Sequence, residues 1–96
     1  MALYTIYLTP TADKDLLIAI DYYNQQAEDL GYRFADLVEK YIANIALLPT
    51  ASSIRYKNVR CKPIAIFPYL IMFTVDEINK TVNILRIFHT SQEPFW

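Results

Sequence analysis

Ninety-six residues with a net charge of -1, 54% of them hydrophobic and 15% aromatic, describe one expected domain spanning 1–96. A chain of this size buries only about 60–65% of the surface its unfolded form exposes, so a single modest core is expected. The numbers exclude a spanning helix, because the apolar run Ile64–Phe73 is broken by Pro68 and falls short of about 18–20 residues; they exclude a disulfide or cysteine cage, because Cys61 is the only cysteine, and the strongly basic footprint of a general nucleic-acid binder.

Leu3 to Leu8, rich in Tyr, Ile and Thr, predicts a short strand that Thr9-Pro10-Thr11 interrupts. Either threonine suits a helix cap: Thr9 would set Pro10 at the first helical position, and Thr11 lies directly before Ala12-Asp13. Both put Asp13 in the first turn, where its charge complements the helix dipole. Ala12, Leu16, Ala19, Ile20, Tyr23, Ala27 and Leu30 then recur at helical spacing, leaving Asp13, Asp21, Gln25 and Glu28 toward water. Gly31, the only glycine, is expected to end this helix or turn the chain into the next through a positive φ. Phe34, Val38, Tyr41, Ile45 and Leu48 alternate steps of four and three until Pro49, predicting a second helix that folds back on the first.

Pro49-Thr50-Ala51-Ser52-Ser53 breaks the helical pattern, and the chain turns to β-branched and aromatic residues. Three strands are predicted. The first covers about Lys57 to Phe67 with a bend or bulge, since Pro63 cannot donate to a ladder. The second, Tyr69 to Val75, is apolar enough to be central, and Asp76–Lys80 forms a loop to the third, Thr81 to Phe88. Alternation sets Val82, Ile84, Arg86 and Phe88 on one face of that last strand, so Arg86 interrupts an apolar face. The order β-α-α-β-β-β predicts an α+β fold, a helical hairpin on one face of a small, mostly antiparallel sheet, with the other face open for binding.

Charge is unevenly spread. Residues 1–50 carry a net -4 and residues 51–96 a net +3, so an anionic partner would be drawn to the C-terminal half. The apolar excess predicts a second chain covering part of the surface. Met1-Ala2-Leu3-Tyr4-Thr5 lacks a basic, then apolar, export pattern, which makes the cytoplasm the expected compartment.

In joint order, Asp15-Leu16, Tyr22-Tyr23, Leu30-Gly31, Phe34, Pro49, Arg55-Tyr56, Val59-Arg60, Phe67-Pro68-Tyr69 and Ile87-Phe88-His89 resemble the RelE/ParE superfamily of small bacterial toxins, the ParE-like members in particular, over nearly the whole chain. The resemblance implies a toxin of a type II toxin-antitoxin (plasmid stabilization) module, neutralised by a cognate antitoxin and needing no cofactor. A homodimer or a toxin-antitoxin hetero-oligomer is implied as the assembly. Its target would be DNA gyrase, poisoned by binding alone, if the chain is ParE-like. If RelE-like, it would be a ribosome-dependent endoribonuclease acting on messenger RNA. An inactive homologue serving as a binding module is the third reading, because fold alone does not decide among them.

Metal-free RNA cleavage needs a base for the 2'-hydroxyl, cations for the charge growing on phosphate and an acid for the leaving oxygen. The catalytic candidates on that reading are Arg60, Arg86 and His89, expected together on the open sheet face with Lys62, which shares the Arg60 face by alternation; Lys57 reaches that face only if a bulge intervenes. His89 is the only histidine and titrates near about pH 6.5 when unperturbed. Arg86 has an alternative as the ion-pair partner of a helix carboxylate. Gln92 stands where many relatives carry arginine, and an amide cannot neutralise a phosphate, which favours the gyrase reading. Lys57, Arg60, Lys62, Gln92, Phe95 and Trp96 are the expected target-binding residues, the two terminal aromatics as anchors.

Overall fold

Thr9 ends the first strand and starts the first helix. In the computed structural model, which describes residues 3–91, β1 is Thr5–Leu8 and α1 is Pro10–Gln26. Of the two candidate caps the fold uses Thr9, whose Oγ1 accepts the Ala12 N–H at 3.2 Å with Pro10 at the first helical position. The same hydroxyl donates to the Leu85 carbonyl at 3.0 Å, fastening the start of α1 to the last strand.

The second helix, α2 (Leu30–Leu47), doubles back on α1, but Gly31 makes the turn for a different reason than its backbone freedom. Asp29 takes the left-handed conformation, at φ 61°, while Gly31 lies inside α2. A Cβ at Gly31 would overlap the Ile20 carbonyl oxygen and lie 2.7 Å from Asn24 Oδ1. Its missing side chain therefore lets the helices touch, and its N–H donates to Asn24 Oδ1 at 2.7 Å. Phe34, Val38 and Ile45 are buried as their spacing predicts; Leu48 is 60% exposed because α2 stops one residue before it.

The sheet order is β1-β5-β4-β3-β2, with β1 parallel to β5 and every other pair antiparallel. The single strand predicted over Lys57–Phe67 is two: β2 (Ile54–Tyr56) and β3 (Val59–Pro63), joined by a tight turn in which Lys57 has φ 51°. β4 (Tyr69–Asp76) is central, and β5 (Thr81–His89) lies between it and β1. The α+β architecture stands, with one strand more than predicted.

A bulge corrects the face assignment on β5. Met72 pairs with Arg86 but Phe73 with Ile84, so Leu85 is an extra residue and the alternation changes phase there. Ile84 and Ile87 join the helix-side core with Phe34, Val38, Ile71, Phe73 and Val82. Phe88 turns to the opposite face, where it forms a smaller cluster with Val59, Cys61 and Met72, none more than 7% exposed. The face away from the helices is thus apolar, not cationic.

Candidate functional site

Beyond Leu8, β1 no longer covers the edge of β5, and side chains of α1 take over that task. Asp15 lies on the face of α1 that packs on β5: its Oδ2 accepts the Ile87 N–H at 3.2 Å and Arg86 Nε at 2.7 Å, and its Oδ1 accepts Arg86 Nη2 at 3.1 Å. Arg86 is rooted opposite Met72 and lies over the Phe88 ring, so its guanidinium turns around the sheet edge to reach the helix. The structural role open to Arg86 in the sequence is the contact observed.

Arg60 sits on the other side of β4. It pairs with Phe73, on the helix-side face, and its Nη1 donates to the carbonyls of Thr50 at 3.2 Å and Ser52 at 2.7 Å. Those carbonyls belong to the 3-10 turn Pro49–Ala51 and its end, which Arg60 caps. Lys62, two residues on, shares that face; its Nζ is 5.7 Å from the centre of the Tyr41 ring of α2. Lys57 projects from the β2–β3 turn, its Nζ 5.3 Å from the Tyr56 ring centre.

His89 lies at the far end of β5, paired with Tyr69 and in edge contact with its ring at 4.9 Å between centroids. The Ser91 N–H donates to His89 Nδ1 at 3.1 Å and Ser91 Oγ is 2.6 Å from the same atom, which assigns the ring proton to Nε2. The ring borders a pit of about 320 Å³ shared with Ile18, Ala19, Tyr22 and Tyr69. Behind it Phe67-Pro68-Tyr69 carries two rings into a cluster with Tyr23 and Phe34, with centroid separations of 4.9–6.1 Å.

Burial, followed by the nearby Tyr23 and Tyr22 hydroxyls and the Asp15 carboxylate, pushes the Tyr69 phenol up to about 12. Tyr69 is consequently a neutral hydrogen-bond donor at physiological pH and no base. Since the folded-state pKa is the higher one, Tyr69 contributes stability fully below its unfolded value near about 10 and loses it as pH rises toward about 12. Thermal melts should therefore fall across that window, and Tyr69→Phe should flatten the fall; an identical alkaline slope in the variant would contradict the assignment.

The expected gathering of Arg60, Lys62, Arg86 and His89 on one open sheet face is thus corrected. Arg60 and Lys62 face the helix layer, Arg86 starts on the opposite face, and His89 stands three residues farther along β5. The β5 bulge, invisible to strict alternation, is the reason for the split. Gln92, Phe95 and Trp96 lie outside the described residues.

Sequence reading missed Asp15 and Ile66 as participants. Asp15 is an acidic residue next to the buried stripe of α1, which was the available signal. Ile66, in the loop before Phe67, had none: it is 91% exposed and holds φ 78°, a left-handed conformation costly for a β-branched side chain. The neighbouring Ala65 N–H donates to the Tyr41 hydroxyl at 3.1 Å, pinning the loop to α2. Ile66 borders a groove of about 470 Å³ floored by Leu30, Leu37 and Phe67 and flanked by Arg33, Asp36 and Lys40. A second exposed apolar stripe, Leu17, Ile18 and Tyr22, runs along the outside of α1. Among the described residues no helix is long and apolar enough to cross a membrane.

Comparison with solved structures places this arrangement. The chain is similar to one in the chromosomal ParDE toxin-antitoxin system from P. aeruginosa, with a TM-score of 0.78 at 18% identity, covering 91% of this chain and 96% of that one. It is also similar to one in the RelBE2 toxin-antitoxin complex from Mycobacterium tuberculosis, with a TM-score of 0.62 at 22% identity, covering 92% and 99%. No curated protein sequence matches. The family described as ParE toxin of type II toxin-antitoxin system, parDE, matches over residues 6–94, nearly the full length, and the chain belongs to that family.

Proposed function

We propose that this toxin arrests growth by binding DNA gyrase, without itself breaking a bond, and that a cognate antitoxin neutralises it. The observation that carries the reading is the occupation and dispersal of the side chains a ribonuclease would use. Arg86 is bound to Asp15 on one side of β4, Arg60 to the carbonyls of Thr50 and Ser52 on the other, and His89 accepts the Ser91 N–H at Nδ1. Charge developing on a scissile phosphate needs free donors aimed at one point, and these are aimed at protein acceptors. Binding needs only a presented surface, for which Lys57, Arg60 and Lys62 together with Gln92, Phe95 and Trp96 are the proposed target contacts.

The antitoxin is read as an amphipathic or acidic segment lying along the helical hairpin or adding to a sheet edge. The exposed Leu17, Ile18 and Tyr22 of α1, and the strained, outward Ile66 beside the α2 groove, support that placement. Supercoiling by purified gyrase with added toxin tests the reading. Loss of supercoiling and accumulation of cleaved DNA at micromolar toxin is the expected result. Unimpaired gyrase together with codon-phased messenger cleavage in a translating extract would establish the ribosomal alternative instead, and absence of growth arrest on induction would mark an inactive homologue.

A further inference from the structure

From Lys40 to Val75 the chain has five cations and no carboxylate, and four of the five, Arg55, Lys57, Arg60 and Lys62, are concentrated on the β2–β3 hairpin. The one ion pair among the described residues is Arg86–Asp15, so none of the four is neutralised by a neighbour. They line the hairpin: Arg60 and Lys62 on the helix-side face, Lys57 at the turn, and Arg55 exposed on β2. Lys62 is held in place over Tyr41, so part of the ordering cost of binding is already met there.

We infer that the β2–β3 hairpin is a contact for the phosphate backbone of duplex DNA. The inference rests on the gyrase reading and adds to it that the toxin holds the enzyme's DNA as well as its protein. Clustered like charges without carboxylates repel one another until a polyanion displaces its own counterions to bind them. A single strand would want a row of stacking rings, and Tyr56 is the one aromatic residue on β2 and β3. The net charge of -1 does not cancel the patch. Asp13, Asp15 and Asp21 belong to α1, which lies against β5, and β2 is three strands from β5, roughly 14 Å at the usual strand spacing; on α2, Asp36 and Glu39 are balanced by Arg33 and Lys40. Screening acts over about 10 Å at 0.1 M salt, so the hairpin presents its own sign.

The test is fluorescence anisotropy of the purified chain with a labelled 20-base-pair duplex and no gyrase present, at low and moderate salt. Binding in the micromolar to sub-millimolar range is expected, weakening steeply as salt rises. Arg55→Glu with Lys57→Glu, both on exposed positions, should weaken it at least tenfold, whereas the equal charge change Lys14→Glu with Arg33→Glu on the helices should weaken it less than threefold. The neutral pair Arg55→Gln with Lys57→Gln, folded by circular dichroism, should fall between. Absence of duplex binding at low salt, equal loss in the hairpin and helix variants, or tighter binding to single-stranded RNA of the same length would overturn the inference. Gyrase poisoning that persists when duplex binding is absent would overturn this contact and leave the gyrase reading intact.

Discussion

Replacing Gly31 by alanine should cost this protein a large part of its stability. Alanine is the better helix former by about 1 kcal/mol, and Gly31 lies inside α2, so propensity alone predicts a gain. Sterics point the other way and are larger. The added carbon would overlap the Ile20 main-chain oxygen, a group that cannot rotate away, and crowd Asn24 at 2.7 Å. Parting the helices to make room would also lengthen the Asn24–Gly31 hydrogen bond, now 2.7 Å, and loosen Phe34 below it. A net loss of about 3 kcal/mol is expected, from overpacking against backbone. For a domain of this size that lowers the melting temperature by more than about 10 °C, at about 4–8 °C per kcal/mol. Circular-dichroism melts of the two proteins measure it directly; an unchanged or raised midpoint would mean that the helices do not meet as closely as described.

Asp15→Ala is the second large effect. The carboxylate accepts three hydrogen bonds, two from Arg86 and one from the backbone of Ile87, with 16% of its side chain exposed against 32% for Arg86. An exposed ion pair would contribute less than about 1 kcal/mol, but here truncation also strands a main-chain N–H at the β5 edge. Removing the acceptor from a charged donor and a half-covered amide should cost about 2–3 kcal/mol. Arg86→Ala should cost less, because Asp15 keeps Ile87, and the double variant should show a coupling of about 1 kcal/mol or more between them. Urea unfolding of the four proteins closes that cycle; additive losses would contradict the pairing. The same set separates roles for Arg86. A positioning residue loses stability in both single variants, whereas a ribonuclease residue would lose messenger cleavage in Arg86→Ala at unchanged stability.

Much of this molecule was legible in the sequence where the signal is local and periodic. The stripe Phe34, Val38, Ile45 predicted the buried face of α2, Tyr69–Val75 predicted the central strand, and the Phe67-Pro68-Tyr69 corner sits where both helices meet the sheet. The charge imbalance between halves became a cationic hairpin at one end of the sheet and an acidic helix at the other. Each of these depends on side-chain spacing along a single element, which hydrophobic burial enforces.

What only the tertiary structure decided depends on register and on distant neighbours. A single extra residue at Leu85 reversed the facing of Arg86 and Phe88, because side chains in a strand have a period of two and one insertion inverts everything after it. Asp15 and Arg86 are 71 residues apart in sequence, and nothing local marks them as partners. Gly31 was conspicuous as the only glycine, yet its reason is the carbonyl of Ile20 on another helix rather than its own backbone angle. Composition and pattern were enough to specify the elements and the family likeness; which cations remain open to a partner was set by how those elements pack, since Arg60 and Arg86 take acceptors that the fold brings to them.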